Sequence, residues 1–273
     1  MSCCRFSLAS ATTLEIMDDP LLRMEIDGRA PTDEEYRFLS LHQYGHFTAM
    51  QVRDGRTRGL DLHIARLAAA NREMFDAALD GDRFRAHIRH CLGDIADATV
   101  RVLVVASADD TPCVIVTVRG PGEPPRPPHS MRSVDYQRPL PHLKQVGGGF
   151  GQVYHQRIAR REGFGEALLT GPGGVIAEGA VTNIGFFDGD GIVWPDAPAL
   201  AGITMQLLRA HPDLDSRAAS VRLSDLGSYG SVVVANSRGV TPVGRIDDQV
   251  LPIDDQFTKS VQQTYESVPW ERF

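Results

Sequence analysis

The chain has 273 residues, of which 42% are hydrophobic and 23% charged, as expected for a globular protein with one large domain or two modest ones. Its formal net charge of −7 excludes a general basic field for nucleic acid, and no apolar run approaches the length of a membrane span. The four cysteines form neither a zinc signature nor a disulfide framework, which favours reduced thiols in a cytoplasm. We therefore expect a cytoplasmic protein with no metal site and no nucleic-acid or membrane partner.

The first 23 residues do not form a clean apolar signal segment, because Arg5, Glu15 and Asp18 interrupt the apolar residues. Met24 opens the stretch MEIDGRAPT, which is more typical of a folded beginning. We therefore predict a disordered extension over residues 1–23 and assign it no function.

Residues 24–119 predict a small α+β domain. The pair Asp54-Gly55 lies between two strand-like pieces and is a strong hairpin signal. Residues 60–79 predict an amphipathic helix, because their apolar residues recur on one face. A second helix fits residues 82–97, and two β-rich runs follow at 99–108 and 112–120.

Residues 120–130, GPGEPPRPPHS, are rich in proline, which excludes a helix or a central strand. We interpret the segment as an extended linker between two folded halves, the second being a larger domain over residues 131–273. The alternative, a polyproline ligand for a partner module, needs an additional assumption.

The second half alternates strands and helices. Its predicted elements are a strand at 130–138, a helix at 152–162, a strand–turn–strand at 166–179, a hairpin at 182–195, a helix opening near Thr204 and a buried strand at 230–237.

Four ordered motifs of this half carry a resemblance. Lys144 in PHLKQVGGGFG would alone be interpreted as a surface lysine. It is followed by the strand EAL from Glu166, the turn EGAVTN from Glu178, and GIT at 202–204. In this order and at compatible spacing they resemble the class IV pyridoxal-phosphate enzymes, which include branched-chain and D-amino-acid aminotransferases and aminodeoxychorismate lyases.

The resemblance extends to the first half and covers residues 24–255. GHFTAMQVRDGRTRGLDLHIARL is similar to the family's N-terminal hairpin and its HxxRL helix, and ANSRGVTPVGRID is similar to a phosphate-contacting segment. It implies a two-domain α/β (α+β) fold of type IV, a pyridoxal 5′-phosphate cofactor between the domains, and a homodimer.

The resemblance also implies roles for particular residues. Lys144 carries the cofactor as a Schiff base and moves the proton, because a primary amine of lowered pKa is the best imine-forming group. Glu178 keeps a proton on the ring nitrogen. The phosphate takes Arg66 and the start of the GIT helix, since a guanidinium fork and backbone N–H groups suit a dianion. The remaining candidates are Ile203, Thr204, Asn236 and Ser237 at the phosphate, with Phe47 and Thr48 in the substrate pocket.

Two positions depart from the family pattern. Many members have a tyrosine five residues after the lysine, where this chain has Gly149, and Tyr154 is a candidate replacement. The usual GITR is GITM here, with Met205. A dinucleotide loop at GGGFG is disfavoured, because the third glycine and the following acidic residue of that fingerprint are not in place.

Three functions remain open at this level. The first is an aminotransferase that exchanges an amino group between an amino acid and a 2-oxo acid. The second is a lyase that releases pyruvate and 4-aminobenzoate from aminodeoxychorismate, and the third is a non-catalytic homologue. An intact set of Lys144, Glu178 and Arg66 argues against the third, and the sequence does not decide between the first two.

Overall fold

A computed structural model describes residues 20–146 and 149–273. Most of the predicted extension, residues 1–19, and two glycines of the GGGFG loop, residues 147–148, lie outside the described residues. Residues 21–23 were also expected in the extension, but they belong to the first strand of a sheet. Within the described residues no helix is both long and apolar enough to cross a membrane.

From residue 20 onward, where the description begins, the first half contains five strands and three helices. The strands are β1 (Leu21–Ile26), β2 (Gly45–Val52), β3 (Arg56–Arg58), β4 (Ala98–Ala106) and β5 (Pro112–Arg119). The helices are α1 (Asp33–Leu41), α2 (Leu60–Phe75) and α3 (Gly81–Leu92). An antiparallel sheet has the order β1-β5-β4-β2.

The two faces of this first sheet have different neighbours. Val100, Val102 and Val104 of β4 are buried against α2 and α3 in one apolar core. The alternate residues of the same strand, such as Arg101 and Leu103, face the other way, because successive side chains of a strand point to opposite sides. The first face stabilises the fold, and the second is available to a site.

The second half is built on a nine-stranded mixed sheet. Its strands are β6 (His129–Asp135), β7 (Glu166–Gly171), β8 (Val175–Gly179), β9 (Asn183–Phe187), β10 (Ile192–Pro195), β11 (Ser216–Ala219), β12 (Ser231–Asn236), β13 (Gly239–Ile246) and β14 (Gln249–Val250). The order is β11-β10-β9-β12-β13-β6-β7-β8, with β14 paired to β13. Helices α4 (Phe150–Arg161), α5 (Ile203–Ala210) and α6 (Asp255–Ser267) accompany it.

The last residues return to the first half. Strand β15 (Trp270–Arg272) pairs with β3, and the Glu271 carboxylate accepts the N–H of Leu60 at the start of α2. The Arg58 guanidinium lies 4.9 Å from the ring centroid of Tyr265 and 4.1 Å from that of Trp270. The C-terminal residues of the second predicted domain therefore pack against the first half of the chain.

Most of the predicted elements are present, with shorter helices. Helix α2 ends at Phe75 because Asp76 adopts a left-handed conformation, and α3 ends before Gly93. The hairpin at Asp54-Gly55 is confirmed, since both residues have positive φ angles as a tight hairpin turn requires. Helix α1 was not predicted; none of its residues is buried, and Thr32 and Glu35 form a capping box at its start.

The proline-rich segment lies between the two large sheets along the chain. Residues 120–128 contain no helix or strand, and β6 begins at His129 rather than after residue 130. The predicted linker is therefore two residues too long.

Candidate active site

A cavity of about 870 Å³ lies where the first sheet meets the second. The first sheet contributes residues of β2 and β4, and the second contributes the end of β8 and the turn after β12. Eight of the nine residues proposed from the sequence line it: Phe47, Arg66, Lys144, Glu178, Ile203, Thr204, Asn236 and Ser237.

Lys144 is held against strand β2. Its carbonyl accepts the N–H of Phe47 at 2.8 Å, and two residues later the N–H of Val146 donates to Gly45 at 2.8 Å. The Lys144 amine lies 4.9 Å from the Phe47 ring centroid. Burial lowers the pKa of Lys144 to about 7, and the positive charges of Arg66, Arg101 and Arg138 act in the same direction. A large fraction of the amine is therefore neutral and nucleophilic near neutral pH.

Glu178 lies near the end of strand β8 and is buried in an ion pair. One carboxylate oxygen lies 3.0 Å from a guanidinium nitrogen of Arg138, and the other accepts the N–H of Leu200 at 3.2 Å. Burial raises the pKa of Glu178, and Arg138 opposes that rise. The carboxylate is thus fixed in the cavity wall, where it could accept a hydrogen bond from a protonated ring nitrogen.

Arg66 extends from α2 toward the opposite sheet. Its guanidinium donates to the carbonyl of Ala201, and it has no carboxylate partner among the described residues. Burial is the main cause that lowers the pKa of Arg66 to about 10, with a contribution from Arg138. A half-buried guanidinium without a carboxylate favours an anionic ligand.

The start of α5 lies beside this arginine. Gly202 precedes the helix and offers no side-chain cap to its first N–H groups. A Cβ at residue 202 would overlap the amide oxygen of Asn183, so a larger residue there would require the Asn183 side chain to move. Asn183 in turn donates to the carbonyl of Leu200, and this bond holds the turn that precedes α5. The geometry is that of a helix N-terminus open to an anion.

Two of the predicted phosphate ligands already have backbone partners. The Thr204 hydroxyl donates to the carbonyl of Asn236 at 2.7 Å, and the Asn236 amide oxygen accepts the N–H of Arg238 at 2.8 Å. These bonds tie the start of α5 to the turn that carries Ser237. Both side chains therefore shape the site through the backbone as well as lining it.

Thr48 does not line the cavity, contrary to the prediction. It follows Phe47 on β2 and therefore faces the other side of the sheet, where its hydroxyl hydrogen-bonds to Nδ1 of His63 at 2.6 Å. His63 itself lines the cavity, and burial is the main cause that lowers its pKa to about 3. His63 is thus a neutral imidazole that the sequence did not single out.

Arg101 is a second cation that the sequence analysis missed. Its guanidinium lies 5.0 Å from the Phe47 ring centroid, and it has no carboxylate partner among the described residues. Burial, followed by the charges of Arg119 and Arg238, lowers the pKa of Arg101 to about 10. Nothing in an alternating strand marks one arginine as special, so only the fold brings Arg101 and Arg138 to Lys144.

The two departures from the family pattern have separate outcomes. Tyr154 is 52% exposed, stacks near Phe150 and lies outside the cavity lining, so it does not take the place of the missing tyrosine. Met205 packs against the apolar core between α5 and α6 and does not line the cavity.

Solved structures with the same architecture cover most of the chain. A branched-chain amino acid aminotransferase from the archaeon Thermoproteus uzoniensis, with norvaline, has a TM-score of 0.78 at 18% identity, covering 90% of this chain and 94% of that one. A hypothetical aminotransferase from Mycobacterium tuberculosis in a PLP-bound form has a TM-score of 0.76 at 20% identity, with 90% and 99% covered. The 4-amino-4-deoxychorismate lyase from Pseudomonas aeruginosa has a TM-score of 0.73 at 22% identity, with 90% and 99% covered.

At these identities the likeness establishes the fold, which is the type IV fold of aminotransferases, as the sequence predicted. No curated protein matched the chain in a sequence comparison. The family model for amino-transferase class IV matches residues 45–246, which is well over half of the chain. The chain belongs to the amino-transferase class IV family and is an enzyme of that class.

Proposed function

We propose that this protein is a pyridoxal 5′-phosphate-dependent aminotransferase that exchanges an amino group between an amino acid and a 2-oxo acid. The observation that carries the proposal is a single cavity that holds an amine of lowered pKa, Lys144, and a half-buried guanidinium without a carboxylate, Arg66. Solved neighbours of the same fold were crystallised with this cofactor or its amine form.

The residues present fit the cofactor. A phosphate dianion needs concentrated donors, and Arg66, the N–H groups at the start of α5 and the Ser237 hydroxyl lie around one part of the cavity. A pyridine nitrogen that must stay protonated needs an anion, which Glu178 provides in its ion pair with Arg138. When bound, the cofactor supplies an electron-withdrawing ring that stabilises negative charge on the substrate carbon.

The protein's own groups do the remaining work. Lys144 would hold the cofactor through its amine and would be the base that carries the proton to and from the substrate carbon. Its lowered pKa favours both tasks near neutral pH, because a protonated amine can neither bond nor accept a proton. Arg101 and Lys144 lie 5.0 Å and 4.9 Å from the centroid of the same Phe47 ring. We therefore propose that the Arg101 guanidinium binds the carboxylate of a substrate that reacts at Lys144.

A lyase acting on aminodeoxychorismate is the second candidate. The resemblance of the segment HFTAMQVRDG to the aminodeoxychorismate lyases favours it. Of the two pocket residues proposed in this segment, Phe47 faces the cavity and Thr48 does not. The lyase of the same fold from Pseudomonas aeruginosa supports it at the level of the fold. A non-catalytic homologue is disfavoured, since Lys144, Glu178 and Arg66 come together in one cavity.

One experiment separates the two activities. Purified protein loaded with cofactor is incubated with single amino acids and followed by absorbance. An aminotransferase loses its yellow colour as the amino group moves to the cofactor, releases one equivalent of oxo acid, and regains the colour with a 2-oxo acid. If the protein stays yellow with every amino donor and releases pyruvate from aminodeoxychorismate, the lyase is correct and the aminotransferase is refuted.

We also infer that the protein is a cytoplasmic homodimer. Support for a second copy comes from exposed apolar side chains at the cavity side of α4, where Phe150 is 79% exposed beside Val153 and Tyr154. A molar mass near that of one 29.9 kDa chain by light scattering would refute the dimer.

A further inference from the structure

One face of the first sheet forms the floor of the cavity. Along the strands of this face, one row of paired residues contains polar side chains and the next row is apolar. The register places Phe47 of β2 opposite Leu103 of β4, and Leu103 opposite Ile115 of β5. The adjacent row on the same face consists of Ala49, Arg101 and Thr117. Arg101 therefore stands at the border between a polar and an apolar half of the floor.

The apolar half continues into a recess that we name the apolar chamber. Its six residues both line the cavity and pack together as one hydrophobic cluster: Met24, Leu39, Leu103, Val105, Ile115 and Val146. They come from three strands of the first sheet, from α1 and from the segment after Lys144. No charged residue belongs to the chamber as defined.

The chamber is physically joined to the amine. Val146 follows Lys144 by two residues, and both are fixed on β2 by backbone hydrogen bonds of 2.8 Å. The Lys144 amine and the Arg101 guanidinium lie 4.9 Å and 5.0 Å from the same Phe47 ring. Consider an amino acid whose amino-bearing carbon lies at Lys144 and whose carboxylate lies at Arg101. Its side chain then lies over Leu103, which is paired with Phe47 on the neighbouring strand.

We propose that the apolar chamber receives the side chain of the amino-acid substrate and selects a side chain of aromatic size. This inference rests on the proposed aminotransferase function. Neighbouring strands are about 4.8 Å apart and alternate residues about 7 Å apart, so the floor from Phe47 to Ile115 measures about 10 by 7 Å. A benzyl group covers this area, whereas a methyl group leaves most of the apolar surface in contact with water.

The walls also determine which side chains are disfavoured. A second carboxylate in the chamber would lose its hydration without meeting a cation or a hydrogen-bond donor from the chamber's six side chains. Side chains that end in a carboxylate are therefore expected to be rejected. The chamber residues act as specificity determinants and take no part in the proton transfer.

Helix α1 offers a matched pair of positions for a test. Leu39 lines the chamber, while Leu41 on the same helix is 80% exposed and lies outside the lining. Tryptophan at residue 39 would fill the chamber, and tryptophan at residue 41 would point to solvent. On the sheet, Leu103→Thr makes the floor polar and keeps a good strand former.

The experiment measures binding of carboxylates that cannot react, since they carry neither an amino nor an oxo group. Propionate, succinate and 3-phenylpropionate are titrated into the cofactor-loaded protein by calorimetry. We expect 3-phenylpropionate to bind roughly 10- to 100-fold more tightly than propionate, because burying an aromatic ring has that effect on affinity. Succinate should bind no more tightly than propionate.

The variants assign this preference to the chamber. Leu39→Trp and Leu103→Thr should each remove about tenfold or more of the affinity for 3-phenylpropionate and leave propionate within about twofold. Leu41→Trp should bind all three probes as the unchanged protein does. Circular dichroism and the cofactor absorbance confirm that each variant is folded and loaded.

Several results would overturn the proposal. They are equal affinity for propionate and 3-phenylpropionate, tighter binding of succinate, or equal losses in Leu39→Trp and Leu41→Trp. Failure of the proposed function has a different signature: no amino donor then bleaches the cofactor. A protein that bleaches with amino donors but shows no preference among the probes refutes the chamber alone.

Discussion

Replacement of Lys144 by methionine should stabilise the cofactor-free protein, and the gain should depend on pH. The change keeps an unbranched side chain, one atom shorter, beside Phe47 and removes the amine. The pKa of this amine is about 7 in the folded protein, against an ordinary value of 10.5. Burial therefore disfavours the protonated amine, which costs folding free energy wherever the unfolded chain would carry that proton.

The size of the effect follows from the two pKa values. A fall from 10.5 to about 7 corresponds to an upper limit of about 4.8 kcal/mol well below pH 7. The unfolded chain binds more protons between pH 7 and 10.5, so the contribution of Lys144 to stability improves as the pH rises through that window. At pH 10 only about 1 kcal/mol of the cost remains. Since Lys144 is only half-buried, solvent screening reduces these limits, and about 2 kcal/mol at pH 6 is expected.

The assay is urea unfolding of cofactor-free Lys144→Met and unchanged protein at pH 6, 8 and 10. The chain's other lysine, Lys259, is exposed on α6 and provides the control Lys259→Met, which should change stability little at any pH. The stabilisation by Lys144→Met should shrink steadily from pH 6 to pH 10. If the stabilisation is constant with pH, or if the variant is less stable at pH 6, burial does not lower the pKa of the Lys144 amine. The argument for the reactivity of this amine then fails.

Three further predictions concern the cofactor. Borohydride should fix the cofactor onto Lys144, and peptide mapping of Lys144→Ala that still finds cofactor on a lysine would contradict the assignment. Glu178→Gln should retain cofactor but lose roughly 10²-fold or more in turnover, because a neutral amide supports the ring proton poorly; unchanged turnover in a rapid kinetic assay would exclude the role. Arg66→Ala should hold cofactor roughly 10- to 150-fold less tightly in equilibrium dialysis without unfolding, and retention equal to that of the unchanged protein would leave Arg66 as a helix charge.

The sequence predicted those parts of the site that lie in short, ordered motifs. Lys144, Glu178 and the start of α5 each have neighbours along the chain that constrain them. Gly202 is an example, because a Cβ there would overlap the side chain of Asn183. Their places in the cavity agree with the prediction, and their roles stay predictions until tested.

Residues that depend on tertiary contacts were not predictable in this way. Arg138 meets Glu178 across forty residues of chain, and Arg101 joins the site only because β4 lies next to β2. The error at Thr48 has a local cause, because adjacent residues on a strand face opposite sides and Phe47 already faces the cavity. Helix α1 was missed although the spacing of its capping box, Thr32 and Glu35, can be read from the sequence.

The pairing of β15 with β3 ties the order of synthesis to the assembly of the site. Arg58 bonds to Val268 across 210 positions, and Glu271 caps the helix that carries Arg66. The ribosome therefore makes the first sheet and its helices long before the segment that fixes the start of α2. Contacts so distant in sequence form late and slowly. A nascent chain can thus contain Lys144, Glu178 and Arg66 and still lack the contacts that fix the start of α2, until β15, whose Trp270 also lines the cavity, has emerged and docked.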